Sequence, residues 1–468
     1  MTITVGWRAA VPYDEEGAAA MAAGGMRRMA TTTERPRASR WVSSTFNALD
    51  IRHFRILWIG TLLSFLAFMM SNTAQSVVAF DLAGNNSAVG LVMFGQGVSM
   101  LLLSPFGGAL ADRMSKRMLL LVAQSVIGLT MFATAVLIAT GAITVLWLAA
   151  GSFVLGTMFS FLGPTRQAYL GDLVEPARRG NAVALTQVAM NLTRVAGPFL
   201  AGGLLAWQVF GAAGTYFFMA GLFVIVVATL FQLPGTQGSS AGRPGMIAEI
   251  AAGLRHVREN RGLLQLVVGF VLVTLVGFPY MTVLPGYATD VLGVGTGGYG
   301  ILLGVSALGG QIVSLAVASL ADSPRASLLL MLSSAGIGVA LIFTGLAPGF
   351  AVALVTMFLV GGAVSGFQTL NSALVMRETS PEYYGRVMSI TMLAFSGTGL
   401  IALPVGLLAD AIGERATLIV MGAGVCLVVA LLSLWAARTG DVLTGSTVAD
   451  GRGAVDDDRV TSINTRNP

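Results

Sequence analysis

Between residues 54 and 437 the chain runs through about twelve long, mostly apolar stretches separated by short polar turns. That succession leaves few folds open. A bilayer core is crossed by roughly 20 apolar residues wound as a helix, and a helix satisfies its own backbone hydrogen bonds where water is absent. Spans are expected near 54–80, 88–111, 118–140, 143–164, 181–206, 214–233, 263–284, 298–320, 327–346, 350–374, 386–409 and 416–437. Of the 468 residues, 55% are hydrophobic and 10% charged, whereas a water-soluble domain carries about 25% charge. The expected class is an all-α integral membrane bundle.

The basic residues fall on alternate loops: Arg113, Lys116 and Arg117; Arg166, Arg178 and Arg179; Arg243, Arg255, Arg258 and Arg261; Arg325; Arg377 and Arg386. The opposite loops hold only Arg415. The positive-inside rule then predicts a multi-pass protein of the cell membrane with the basic loops and both termini in the cytoplasm. The net charge of +5 comes from these scattered arginines and forms no basic face, so no nucleic-acid partner is expected. Cys426, the one cysteine, has no disulfide partner in the chain. His53 and His256 sit among arginines without companion ligands, so neither a metal nor a cofactor is expected. The chain lacks a P-loop, which argues against self-contained ATP-driven transport, and no placed nucleophile–base pair suggests an enzyme.

Residues 1–50 and 439–468 are polar and read as disordered tails. The loop 234–262 divides the spans into 51–233 and 263–438, six on each side. It opens with "LPGTQGSSAGRPG", a flexible linker, and continues as "MIAEIAAGLRHVREN". Ile247, Ile250, Leu254 and Val257 share one face there, predicting a short helix on the membrane surface. The two sides also echo each other. "LADRMSKRMLLL" (110–121) has a counterpart in "LADSPRASLLL" (320–330), and "EPARRGNAVALT" (175–186) in "SPEYYGRVMSIT" (380–391). Many secondary transporters are built from such repeats, with substrate bound where the repeats meet.

"GGALADRMSKR" (107–117), between spans two and three, resembles the signature loop of the major facilitator superfamily. Gly108, Asp112, Arg113, Lys116 and Arg117 fit it, and Ser115 stands where the family has a second glycine. The segment 164–203, with "GLRHVREN" in the central loop, resembles the branch of enterobactin exporters and macrolide efflux pumps. The resemblance implies two pseudo-symmetric six-helix halves that export a small amphipathic or anionic compound, a drug or siderophore-like metabolite, by alternating access. It implies a monomer in contact with membrane lipid, with a coupling ion as a further partner. Import of a small anionic solute, or a non-transporting sensor or scaffold, are the alternative readings.

In the family this Asp helps hold the halves together near the start of the eleventh span when the cavity opens outward, which implies that Asp112 and Arg113 are part of a cytoplasmic gate near Gly385 and Arg386. Asp322 recurs at the equivalent place in the second half. Lys116 and Arg117 fit the gate and an ordinary positive-inside loop equally. Many relatives carry an acid in the first span, in a stretch resembling Ser-Asn-Leu-Gly-Asp. "SFLAF" (64–68) puts Phe68 there, and no other span has a mid-depth carboxylate to carry a proton. Arg194 falls mid-span, about 20 Å from the basic edge. An anionic substrate group is one expected partner, and Asn191 or backbone carbonyls are another. The family's cavity-lining helices point to Asn72, Gln75, Gln96, Tyr280, Gln311 and Gln368 as substrate contacts, with Phe159 and Phe161 as stacking surfaces. "RVAGPFLAGG" makes Gly197, Pro198 and Gly202 a helix-packing motif.

Overall fold

The computed structural model describes residues 47–235 and 246–439. The side chains of 105–113 and 246–251 lie outside that description, and so do the expected tails and most of the flexible linker. The chain divides into two units, Met1–Asn47 and Ala48–Pro468, and the helices lie in the second. It is built of helices α1 (Arg52–Ala83), α2 (Asn86–Arg113), α3 (Lys116–Ala139), α4 (Val145–Leu173), α5 (Arg179–Ala206) and α6 (Gly211–Phe231). Then come α7 (Met246–Glu259), α8 (Arg261–Val291), α9 (Gly295–Ala318), α10 (Ala326–Leu346), α11 (Phe350–Glu378), α12 (Tyr384–Ile412) and α13 (Glu414–Thr439). Among the described residues all of these but α7 are long and apolar enough to cross a membrane, which gives the twelve spans expected.

The two sets of six pair in the same pattern. α2 lies along α4, α3 along α4 and α6, and α1 against α5 and α6. Correspondingly α9 lies along α11, α10 along α11 and α13, and α8 against α12 and α13. Each half has its own core. Met70, Ile127, Met131, Leu155, Tyr169 and Phe223 are buried in the first; Phe270, Tyr287, Ile337, Met357 and Phe367 are buried in the second.

The halves meet along two seams, α2 against α12 and α5 against α9. Both need glycine. A Cβ on Gly97 would stand 2.6 Å from the Gly399 Cα, and one on Gly202 would stand 2.7 Å from the Gly300 Cα. Without side chains the backbones approach and gain dispersion contacts over their length, the main attraction between helices in lipid. Gly197 packs against Met69 of α1, and the Pro198 carbonyl faces Gly300, so the "GPFLAGG" segment serves both a seam and a half.

Three spans run further than the apolar runs suggest. α4 continues through Pro164 to Leu173, α8 reaches Val291, and α11 ends at Glu378. Neighbouring helices let a membrane helix carry proline. Past Pro164 the buried Tyr169 donates from its hydroxyl to the Pro234 carbonyl, 2.6 Å away, which holds the extra turns of α4 in place. Arg166, assigned to a loop by its charge, is therefore inside α4 and buried.

Helix ends account for the isolated charges. At the basic end Arg117 donates to the Leu230 and Phe231 carbonyls at 3.1 and 2.8 Å, closing the C-terminus of α6. Lys116 pairs with Asp172 of α4. At the opposite end Arg415 donates to the Gly345 and Ala347 carbonyls, 3.1 and 2.8 Å, closing α10. That employment explains the one basic residue among the far-side loops, where a cation beside a helix C-terminus is favourable. α7 does more than lie on a surface. Val257 is buried in the second core, His256 stacks on Tyr383 with centroids 4.3 Å apart, and Asn260 donates to the Glu378 carbonyl, while Leu254 stays exposed.

Candidate functional site

A cavity of about 270 Å³ lies between the halves at mid-depth. α1 supplies Asn72, Gln75 and Ser76; α2 supplies Met93, Gln96 and Met100; α4 supplies Ser152. From the other half come Phe278, Pro279 and Met281 of α8, and Phe395, Ser396 and Thr398 of α12. Among the described residues no charged side chain lines it. Amides and hydroxyls offer hydrogen bonds, while methionine and phenylalanine form adaptable apolar walls. A mostly apolar wall with a few polar groups is common in small-molecule pockets.

The sequence forces one irregularity at its wall. α8 breaks after Gly277 and restarts at Tyr280. Pro279 has no N–H to give the Leu275 carbonyl, so the helix ladder is interrupted there. Non-helical backbone at membrane depth is tolerated where it lines a cavity, and Phe278 and Pro279 line this one. Across the gap the Thr282 hydroxyl reaches the Met93 sulfur of α2 at 3.3 Å, so the broken helix touches the opposite half.

The far end of the bundle is pinned shut between the halves. The Asp410 carboxylate of α12 accepts from the backbone N–H of Asn86 at 2.7 Å and of Ser87 at 3.0 Å. Asn85 Oδ1 accepts from the Ala88 N–H, so the first three N–H groups of α2 are satisfied, two of them from the other half. Asn86 Nδ2 donates to Glu414 Oε1 at 2.8 Å. Gly286 of α8 sits against Asn86, Glu414 and Phe80, sealing the same corner.

The expected site residues scatter over this frame. Asn72, Gln75 and Gln96 share the central cavity; Gln75 Nε2 also donates to Ser71 Oγ. Tyr280 is next to the cavity in sequence but buried in the second core. Gln311 and Gln368 are half-buried in α9 and α11, away from the cavity walls. Phe159 stacks on Phe68 with centroids 3.6 Å apart, so the ring that replaces the family's acid belongs to an aromatic contact between α1 and α4. Arg194 is exposed on α5, in line with Gln187 and Asn191, whose side chains bond each other at 3.3 Å. Val188 and Leu192, each 59% exposed, form a second, apolar face of α5. The two exposed faces of α5 thus differ in polarity.

Lys116 and Arg117 bind within the first half. Asp322 is exposed in the turn between α9 and α10. The side chains of Gly108, Asp112 and Arg113 lie outside the described residues. The sequence assigns no role to Asp410 or Glu414, and gives Arg166 only a place in a basic loop. Asp410 carries a weak local signal, an acid near a helix end; its partners lie more than 300 residues away.

Comparison with known proteins agrees with the geometry. Residues 43–449 match the model of a family described as transmembrane secretion effector. The staphyloferrin A transporter of Staphylococcus aureus is 27% identical over 368 residues, covering 77% of this chain and 91% of that protein. Macrolide efflux protein A of Streptococcus pyogenes is 22% identical over 367 residues, 77% of this chain and 88% of that one. The enterobactin exporter EntS of Escherichia coli is 26% identical over 342 residues, 71% and 79%. Among solved structures, a bacterial homologue of the human lysosomal transporter Spinster, inward-facing and occupied, aligns with a TM-score of 0.66 at 15% identity, covering 84% of this chain and 98% of that one. The nucleoside transporter NupG aligns with a TM-score of 0.63 at 13% identity, 81% and 98%. With twelve spans in two like-paired halves and a family match over most of its length, the chain belongs to the transmembrane secretion effector family of major facilitator superfamily transporters.

Proposed function

We propose that this protein is a secondary active exporter of a small amphipathic or anionic compound, working by alternating access between its two six-helix halves. The observation that carries this reading is the uncharged, amide- and methionine-lined cavity between the halves, walled in part by the broken helix α8. Broken helices at mid-depth are where transporters of this kind hold their cargo. The names of two relatives, a macrolide efflux protein and an enterobactin exporter, favour outward movement, and that of a third, a staphyloferrin A transporter, favours a compound of this kind.

The positive-inside rule makes the basic end cytoplasmic. On that orientation the Asp410 contacts close the outer side, and the exposed Arg194 stripe faces a vestibule open to the cytoplasm. Asp112 and Arg113 form the inner gate by their likeness to the family's signature loop. Expression in an efflux-deficient host tests the whole reading: accumulation of a panel of amphipathic anions and drugs falls relative to a vector control. Unchanged or increased accumulation across the panel overturns export. Export that persists with a protonophore removes the proton as coupling ion, which fits Phe68 standing where relatives have an acid. Asp112→Ala is expected to abolish transport at unchanged membrane levels, and normal transport would end the inner-gate assignment.

A further inference from the structure

A second cavity, of about 160 Å³, lies inside the first half toward its basic end, between α1, α4 and α5. Arg166 lines it and is only 7% exposed. Withdrawing a guanidinium from water costs several kcal/mol, and buried arginines normally have a carboxylate to offset that cost. Among the described residues none pairs with Arg166. Its contacts are Ser64 Oγ, 3.3 Å from Nη2, and the face of the Phe65 ring, whose centroid is 5.2 Å from Cζ. A guanidinium has five N–H donors in a planar fork that matches a carboxylate or phosphate bidentately. Ser64 engages one donor, and Arg166 is part of the cavity wall.

The walls define what accompanies the anion. Trp58 is held rigid by its indole N–H, which donates to the Leu185 carbonyl at 2.9 Å. With Phe65, Leu57 and Met190 it forms a broad apolar surface beside the cation. Among the described residues no acidic side chain lines the space, so they offer a cationic ligand no counter-charge there. Gly163 and Gln167 are exposed and leave the cavity a mouth. From Arg166 a run of rings, Phe65 to Phe159 at 6.2 Å and Phe159 to Phe68 at 3.6 Å, ends one helical turn from Asn72 of the central cavity.

We propose that the Arg166 pocket is a recognition subsite for the anionic group of an amphipathic ligand whose flat apolar body lies against Trp58 and Phe65. The proposal narrows the transport reading above to a substrate class and rests on that reading only for its role in transport. Its test measures binding alone, so failure of export and failure of this subsite are told apart. Two sources share the chemistry, a soluble organic acid and the headgroup of an anionic lipid.

The full-length protein in phosphatidylcholine nanodiscs is titrated with naphthoate and with its neutral isostere naphthamide, following tryptophan fluorescence. Naphthoate is expected to bind about tenfold or more tightly than naphthamide, the ratio one charged hydrogen-bonded contact supplies. Arg166→Gln brings the two probes to near-equal affinity, and Arg166→Lys keeps part of the preference. Trp58→Phe removes the fluorescence response. Because Arg166→Gln also loosens the Ser64 contact, Thr186→Phe offers a second route: it fills the cavity, leaves the guanidinium in place and is expected to abolish naphthoate binding. Equal affinities in the wild type, a carboxylate preference that survives Arg166→Gln, or a full response in Trp58→Phe or Thr186→Phe would each overturn the subsite. Discs containing phosphatidylglycerol separate the sources: competition supports the subsite with a lipid headgroup as ligand, and unchanged naphthoate binding supports it with a soluble anion.

Discussion

Removing the Asp410 carboxylate isolates the contact that pins the far end of the bundle. The side chain accepts two backbone hydrogen bonds from the first turn of α2, at 2.7 and 3.0 Å, across the boundary between the halves. Each charge-assisted bond contributes about 1.5–3 kcal/mol when sheltered, and a carboxylate at a helix N-terminus adds about 0.3–1 kcal/mol. Asp410 is exposed, however, so solvent screening removes much of this. A net of about 1–2 kcal/mol remains, or about 5–30-fold in the ratio of far-closed to far-open protein. Asp410→Ala should therefore shift population toward an open far end. The chain has one native cysteine, Cys426, so a Cys426→Ser background accepts spin labels at Val209 and Leu346, both exposed at the far ends of opposite halves. Pulsed electron–electron distances in nanodiscs should show a longer component growing in Asp410→Ala and, less strongly, in Asp410→Asn, which keeps one acceptor. Distance distributions identical to wild type would refute the latch and, with it, the energetic weight given to the α2 N-terminus.

Arg117→Ala should lower the melting temperature by a few degrees, since about 1–2 kcal/mol of capping at the end of α6 is lost, while the Val209–Leu346 distance stays unchanged. A change in that distance would return Arg117 to the gate. Gly97→Ala drives a Cβ to within 2.6 Å of the Gly399 Cα. It should destabilise the α2–α12 seam by about 1–3 kcal/mol, measured by thermal unfolding in detergent; a neutral result would mean the seam is looser than described. Pro279→Ala restores an N–H opposite the Leu275 carbonyl and should stabilise α8 by about 1–3 kcal/mol while slowing transport several-fold. Full transport in that variant would remove the break in α8 from the working cycle.

The twelve crossings were legible because span length is a local property: a run of apolar residues long enough to traverse lipid has little else to become. The ends were less so. Pro164 reads as a stop, yet α4 continues because Tyr169 and Leu170 find partners beyond it, a tertiary fact. That misplaced end hid Arg166, whose charge alone argued for a loop. Which face a helix turns inward was also poorly written. On spans apolar all round, the lipid side and the protein side carry the same residue types, so Asn72 and Gln75 came from family geometry and Gln311 from the same geometry went elsewhere. Asp410 bonds across 324 residues to a backbone, and no pattern of neighbours encodes an acceptor for a distant helix end.

The seam of α2 and α12 deserves a mechanical reading. Gly90 abuts the Ala402 backbone, Gly97 meets Gly399, and Gly406 abuts Asn86, so main chain faces main chain along the contact with few protruding groups between. Interlocked side chains behave like gear teeth, which must disengage before two rods can tilt. Bare backbones behave more like a smooth bearing. Whatever resists a tilt of one rod against the other then sits in the clasps at the rods' tips, where single substitutions would loosen it without touching the shaft.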